Sequence, residues 1–561
     1  MAPHHHQATI IIMTVICQPF WTILFAMAST SLFAQNVEWI KQIGGPYNES
    51  VYSICTDHDG SLYVTGSVAP QCTIDGHGLI VSGWRDIYLA KFTEDGTYQW
   101  AIRAGGSVSP PDVNEGENGW EVAYDSISNA IYVCGEFDGE TTAADFGNGN
   151  TVFGRGSFLA KYDLDGVCQW MKASQNGSAH GITFDGLGNV FVSGYSSNAY
   201  SLNSTTFLGP PAVTIANGPF LAKYSSAGNL LWAKSMGTQV SGRVLYRNGT
   251  LYFVGGLIAA SGTLISEPVS CSALGACVLA SLDTSCSAVN WVRVFDSNNS
   301  ASFVDAQFDH NDEIVVTGVY RDSVFFELDS LIAASPGVLE SFVTKFDTSG
   351  AQQWALAFPA STTFRIRSSI SPDNSIYLGL TFSGSLTVGA QVLSAATPMD
   401  LAVLHLSSTG AVTGAIHAGA VSPSTPDILA TTDNGCCIAY PFDGSIALGA
   451  GLTTTGLDDV FLAKLGAITG VGNSMALQGG GLHIYANPNN GLCTIELPDD
   501  LTINPKLKLS VFDSKGRMVQ QVPLTNSSQG LRLDISAEAK GVYRVELSDG
   551  EQRYSGSIVF E

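Results

Sequence analysis

With only 13% charged side chains, 60 glycines and a formal charge of −24 over 561 residues, the chain is acidic, turn-rich and poor in Lys and Arg. An average soluble domain carries about 25% charged residues. This balance excludes nucleic acid as a partner, because phosphate backbones demand clustered basic side chains, and the length predicts more than one domain.

From Ile10 to Ala34 no Lys, Arg, Asp or Glu interrupts an almost wholly apolar run, which ends in small residues at Ala26-Met27-Ala28 and Leu32-Phe33-Ala34. Residues 1–34 therefore read as a secretory signal peptide, cleaved after Ala28 or Ala34, with no integral membrane span left in the mature form.

An internal repeat follows. A strand of the type F/Y-L-A-K is followed at fixed distance by a tryptophan: Tyr88-Leu89-Ala90-Lys91 to Trp100, Phe158-Leu159-Ala160-Lys161 to Trp170, Phe220-Leu221-Ala222-Lys223 to Trp232, and Phe342-Val343-Thr344-Lys345 to Trp354. Weaker copies begin at Val278, Leu401 and Phe461, so seven anchors lie 70, 62, 58, 64, 59 and 60 residues apart. One unit of this length cannot bury its apolar face alone and must stack on its neighbours. Each copy holds four short runs rich in β-branched and aromatic residues, bounded by Gly, Asp, Asn or Ser. The expectation is an all-β protein built on a closed β-propeller of seven blades, each of four antiparallel strands, over residues 36–466.

The punctuation repeats too. Gly96, Gly166, Gly228 and Gly350 each precede the tryptophan by four residues and supply positive φ to the hairpin. Asp57, Asp185, Asp309 and Asp373 sit in the preceding hairpin, where an Asx side chain caps the turn. Six tryptophans (Trp39, Trp100, Trp170, Trp232, Trp291 and Trp354) share one repeat position and read as scaffold filling the gap between twisted sheets. Trp39 opens the array without an F-L-A-K strand, and Phe461-Leu462-Ala463-Lys464 closes it without a tryptophan. Pairing the two joins the ends and removes free edges.

The W-x-x-x-x-G-G start at Trp39 to Gly45, the D-x-x-G-x-x-Y-V-T-G segment at Asp57 to Gly66 and the F-L-A-K-Y strand resemble the bacterial β-propeller repeat family labelled SBBP. Copies four and six depart from it, with Ser281 and His405 in place of Lys, Cys286 in place of the turn Gly and Gly414 in place of Trp. The resemblance implies a fold and an exported or surface setting, and no activity.

Residues 467–481 are small, uncharged and glycine-rich, and read as a flexible linker. Beyond them, six alternating segments predict a small Ig-like β-sandwich over 482–561. Tyr485-Ala486-Asn487-Pro488-Asn489-Asn490-Gly491, Val511-Phe512-Asp513-Ser514-Lys515-Gly516 and Lys540-Gly541-Val542-Tyr543 follow in order to the terminus. They resemble the C-terminal sorting domain of the type IX secretion system, with Ala486 standing where that family has Pro. This resemblance implies the secretion machinery as a partner, passage through a Gram-negative outer membrane, removal of the domain, and either release or attachment at the surface.

Chemistry is less legible. The chain has no H-E-x-x-H, G-x-S-x-G or P-loop motif, and no catalytic residue or cofactor is assigned. The insertion that lengthens the first anchor interval carries Asp112, Glu115 and Glu117, oxygen donors suited to Ca²⁺, with Asp138, Glu140 and Asp145 later in the same copy. Trp84 and Trp120 fall outside the tryptophan ladder and are the candidate ligand contacts. Among eleven cysteines, Cys271 and Cys277 close a short loop and form the one disulfide the positions favour. The function expected is an exported, non-catalytic propeller presenting variable loops to a glycan, a surface protein or an envelope component. The alternatives are a secreted polysaccharide hydrolase or lyase with a site at the channel mouth, and a structural protein of a surface or adhesive matrix.

Overall fold

A computed structural model describes residues 37–561 except 107–116, 197–203, 208–211, 390, 420, 423, 425, 447, 449–450, 469, 472–481, 486–488, 498–506, 513–516, 524–530, 549–552 and 561. The expected signal segment 1–34, Asp112, Glu115 and residues 472–481 of the linker thus lie outside the described residues. Every regular element described is a strand.

The repeat builds one four-stranded antiparallel sheet per copy. In the first, Ser50–Thr56, Leu62–Val68, Asp86–Phe92 and Tyr98–Ala104 pair in chain order. The second runs Asn118–Asp125, Ala130–Asp145, Thr151–Tyr162 and Cys168–Gln175. Four more sheets of this order begin with Ser178–Phe184, Val240–Arg247, Ser300–Phe308 and Ala360–Ile370. These leading strands lie against one another in sequence, and Asp427–Ala430, which leads the last sheet, touches both Ala360–Ile370 and Ser50–Thr56.

The last sheet takes its fourth strand from the start of the chain. Val37–Gly44 pairs antiparallel with Asp459–Leu465, placing Trp39 opposite Lys464. That is the register of Lys91 with Trp100 and Lys161 with Trp170 elsewhere, so Val37–Gly44 fills the position for which the last copy has no strand of its own.

Buried apolar residues from neighbouring sheets share cores. Tyr63, Ile87 and Leu89 of the first sheet pack with Val122, Ile131, Val133 and Phe158 of the second. The ladder tryptophans are half-buried and reach across the same joints: Trp39 Nε1 donates to the Glu94 carbonyl at 3.0 Å and Trp170 Nε1 to that of Ser226 at 3.1 Å. The repeat lysine is likewise structural. Asp57 Oδ1 accepts the N–H groups of Asp59 and Ser61, while its other oxygen lies 3.7 Å from Lys91 Nζ. Asp309 does the same for Asn311 and Glu313 and sits 2.7 Å from Lys345 Nζ. Turn and strand are locked by one charge-assisted contact.

One expectation is corrected. Cys271 and Cys277 are free thiols. Cys277 is buried in Ala276–Leu282 against Tyr252, Val254 and Phe303, whereas Cys271 packs against the core on the other side, around Leu257, Leu264 and Val269. Ile468 is buried, and Gly470–Val471 pairs in parallel with Gly414 and Ala415.

At the C-terminal end two further sheets form. One contains His483–Tyr485, Leu492–Glu496 and Leu531–Asp534; the other Met518–Pro523, Lys508–Phe512, Gly541–Ser548 and Arg553–Phe560. Both contribute to a single core that includes Ile495, Leu509, Val511, Leu533, Val545 and Ile558.

Candidate functional site

One position of the leading strand faces its equivalents from every sheet. It is the residue paired with the one just before Gly66, Gly135, Gly194, Gly255 or Gly318 on the second strand: Ser53 opposite Thr65, Glu121 opposite Cys134, Gly181 opposite Ser193, Arg243 opposite Val254 and Asp305 opposite Thr317. Arg367 opposite Gly379 and Asp427 opposite Ala439 complete the set in the last two sheets. In four sheets a β-bulge precedes it, leaving Tyr52, Trp120, His180 and Val304 as the extra residues. Bulges re-aim side chains, and here they turn three rings to one side of the charged position.

The charges form a connected network. Arg243 bridges Glu121 and Asp305, with Nη1 2.5 Å from Asp305 Oδ1, and Arg367 Nη1 reaches the same oxygen at 3.0 Å. Glu121 also accepts the Ile182 N–H at 3.2 Å, and Asp427 accepts that of Ile54 at 2.6 Å. Burial works against the Asp305 anion, but Arg367 and Arg243 outweigh it and hold the carboxyl below its usual range. Asp427 has weaker support: burial pushes it up to about 7 despite Arg367. His180 is exposed to the chamber, but the crowded walls around it desolvate its ring, and with Arg243 and Arg367 adding to this its pKa is lowered to about 4, so the ring is neutral at pH 7.

Two cavities flank this network. Toward the starts of the leading strands lies a chamber of about 540 Å³ lined by Tyr52, Trp120, His180, Tyr195, Arg243 and Arg367. Toward their ends lies one of about 300 Å³ lined by Ser53, Glu121, Asp305, Gln307 and Asp427. In the larger, the Trp120 ring lies 4.2 Å from that of Tyr52 and 5.1 Å from that of His180, centroid to centroid. A third cleft, of about 200 Å³, marks the joint between the first and last sheets; its cation, Lys464, is bound by Asp433 at 2.8 Å and Glu38 at 3.1 Å.

The structure separates the residues singled out in the sequence. Trp120 enters the chamber, whereas Trp84 packs on Tyr47 at 5.1 Å, away from it. Glu117 is not a solvated loop ligand. It is fully buried, and Oε1 accepts the N–H groups of Gly106 at 2.7 Å and Asp138 at 3.1 Å. Burial, aided by the neighbouring Asp86 and Asp138 charges, pushes its carboxyl well up. A Cβ on Gly105 would come 1.9 Å from Glu117 Oε2, so the glycine pair of W-x-x-x-x-G-G makes room for this carboxyl. The previous copy repeats the device with Gly44, Gly45, Glu49 and Asp459. Asp138 and Glu140 instead clasp Arg155 at 2.6 and 3.2 Å. Among the described residues, no group of three or more His, Cys, Asp or Glu side chains is arranged to hold a metal ion.

Glu121, Arg243, Asp305, Arg367 and Asp427 escape a motif search because one residue comes from each of five copies. Aligning the copies on the second strand of each sheet, where Leu380 and Tyr440 replace the glycine in the last two, and asking where charge appears on the leading strand opposite would have found them.

Residues 483–561 match the model of the secretion system C-terminal sorting domain, and residues 38–67 that of a beta-propeller repeat. No curated protein matches the chain. Among solved structures, similarity extends to a protein of unknown function from Dyadobacter fermentans at 11% identity, covering 77% of this chain and 99% of that one with a TM-score of 0.36. The Dos1 propeller is similar at 9% identity, 76% and 96% coverage and a TM-score of 0.37. An apocarotenoid oxygenase from Synechocystis follows at 10%, 76%, 94% and 0.33. The sorting domain directs export through the type IX system to the cell surface or the extracellular space. The protein is thus an exported chain that carries a β-propeller repeat and ends in a type IX secretion sorting domain.

Proposed function

We propose that this chain is a non-catalytic propeller of seven blades that captures a glycan, a protein or an envelope component at its axis. After export the Ig-like module over 482–561 is removed, and the propeller is displayed on the surface or released. A closed ring is supported by the contact between Asp427–Ala430 and Ser50–Thr56 and by the strand that Val37–Gly44 lends to the last sheet.

The observation that carries the binding role is the leading-strand position itself. Around it the repeat is built of structural contacts that recur from copy to copy, yet this position holds Ser, Glu, Gly, Arg, Asp, Arg and Asp in turn. It opens on a chamber of about 540 Å³, and small-molecule sites span roughly 300–1,000 Å³ with a few placed polar groups among aromatic walls. The test uses exported protein recovered from a type IX-competent host, immobilised and exposed to glycan arrays and to solubilised surface extract. Retention of a defined glycan or surface component is expected; a blank result on both removes the binding role. Mass spectrometry of the same material fixes both ends, and an intact residue 482–561 segment removes the cleavage reading.

A further inference from the structure

We infer that the larger chamber accepts an uncharged sugar unit of an oligosaccharide, held against the Tyr52, Trp120 and His180 wall. This rests on the binding role proposed above and names its ligand class.

The charges at the site decide against charged ligands. Arg243 is already engaged by Glu121 and Asp305, and Arg367 by Asp305. Both guanidiniums thus already face carboxylates, and His180 is neutral. An incoming carboxylate or sulfate finds no uncommitted cation, and it approaches a chain whose formal charge is −24. A cationic ligand would have to displace a guanidinium from a carboxylate that holds it at 2.5 to 3.0 Å.

The walls suit a neutral polyhydroxylated ring. Tyr52, Trp120 and His180 form a continuous aromatic arc, and Tyr195, exposed on the second strand of the third sheet, adds a fourth ring. The negative faces of such rings attract the slightly positive C–H face of a pyranose. Ser241, Ser302 and Ser424 also line the chamber and bring hydroxyls able to donate and accept. A sugar presents both surfaces, an apolar C–H face and a rim of hydroxyls, whereas a purely apolar ligand would leave the arginine floor of the chamber without partners.

The experiment presents neutral gluco-, manno- and galacto-oligosaccharides, alongside uronate-bearing and sulfated ones of equal length, to the exported protein by titration calorimetry. Two variants accompany it. Ser241→Trp fills the chamber from an exposed position without removing a packed side chain, and Tyr195→Ala removes an exposed ring. Unchanged melting temperatures establish that both fold. At least one neutral series is expected to bind, with little salt dependence, and Ser241→Trp to weaken it at least about tenfold. Binding confined to the anionic series, or neutral binding untouched by Ser241→Trp, overturns the inference. If no sugar binds while a surface protein is retained and Ser241→Trp releases it, the chamber remains the site and only the ligand class fails. If nothing at all is retained, the binding role fails with it.

Discussion

Trp100 of the first sheet lies against Gly166 of the second, and its Nε1 donates to the carbonyl of Leu164 in the same hairpin at 3.3 Å. Gly166 has φ +81°, and a Cβ there would come 3.0 Å from the indole ring. One glycine therefore meets two demands, a left-handed turn and a flat seat for the neighbouring sheet's tryptophan. Gly166→Ala is expected to lower stability by about 1–3 kcal/mol, since left-handed strain alone costs roughly 1–2 kcal/mol. Urea unfolding followed by tryptophan fluorescence measures this; an unchanged midpoint means the seat does not matter.

Cys271 and Cys277 belong to different cores, so the exported protein should contain no bond between them. Alkylation in denaturant without reductant is expected to label both, and mass spectrometry locates the adducts. In the native protein the half-buried Cys271 should react before Cys277, whose burial shields it and raises its thiol pKa. A linked 271–277 peptide pair would mean that the two faces can be bridged after all.

The scaffold was legible in the sequence because its parts recur. Lys91, Gly96 and Trp100 recur at one spacing as Lys161, Gly166 and Trp170, Lys223, Gly228 and Trp232, and Lys345, Gly350 and Trp354, and repetition marks positions the fold needs. The chamber was not legible because it is assembled from what does not recur: Glu121, Arg243, Asp305 and Arg367 hold a strand position that is Ser53 or Gly181 in other copies, and neighbours in the network lie 62 to 122 residues apart. Glu117 misled for another reason. Beside Asp112 and Glu115 it reads as an exposed acidic loop, and only the paired glycines Gly105 and Gly106 hint that its carboxyl turns inward.

Asp305 is the hub of the charged network, nearly fully buried between Arg243 and Arg367. Asp305→Ala leaves two guanidiniums facing each other, at a cost of about 3 kcal/mol, the lower end for broken buried pairs because both arginines keep some solvent contact. The exposed pair of Arg293 and Glu327, 3.7 Å apart, provides the contrast: Glu327→Ala should change stability by less than about 1 kcal/mol. The Asp305 carboxyl is held below its usual range, so its stabilisation is present above the unfolded value and is lost as pH falls through the folded one. Thermal midpoints of the parent should therefore drop in acid more steeply than those of Asp305→Ala. Equal costs for the two alanine variants would show that the network is no more than a surface ion pair.

Glu49 carries the opposite dependence. It is 1% exposed at the joint between the last and first sheets, and burial first, then the Asp459 charge, raises its carboxyl from 4.5 to about 8. The N–H groups of Ala69 and Gly45 and the Arg85 charge oppose the shift, and Gln42 Nε2 donates to Asp459 at 2.5 Å. At neutral pH the folded chain holds a proton that the unfolded chain releases. The stability this group contributes is complete below about pH 4.5 and is lost as pH rises through about 8. A pKa unit is worth about 1.4 kcal/mol, so the loss amounts to a few kcal/mol. Glu49→Gln keeps the shape, supplies a permanent donor toward Asp459 and removes the titration. Its melting temperature should fall less than the parent's between about pH 5 and pH 8.5, and should exceed the parent's at the upper end. Glu117→Gln, the equivalent change at the next joint, should act in the same sense and add to it, because the two sites share no side chain. Parallel pH profiles for the parent and the double variant would show that neither carboxyl retains its proton.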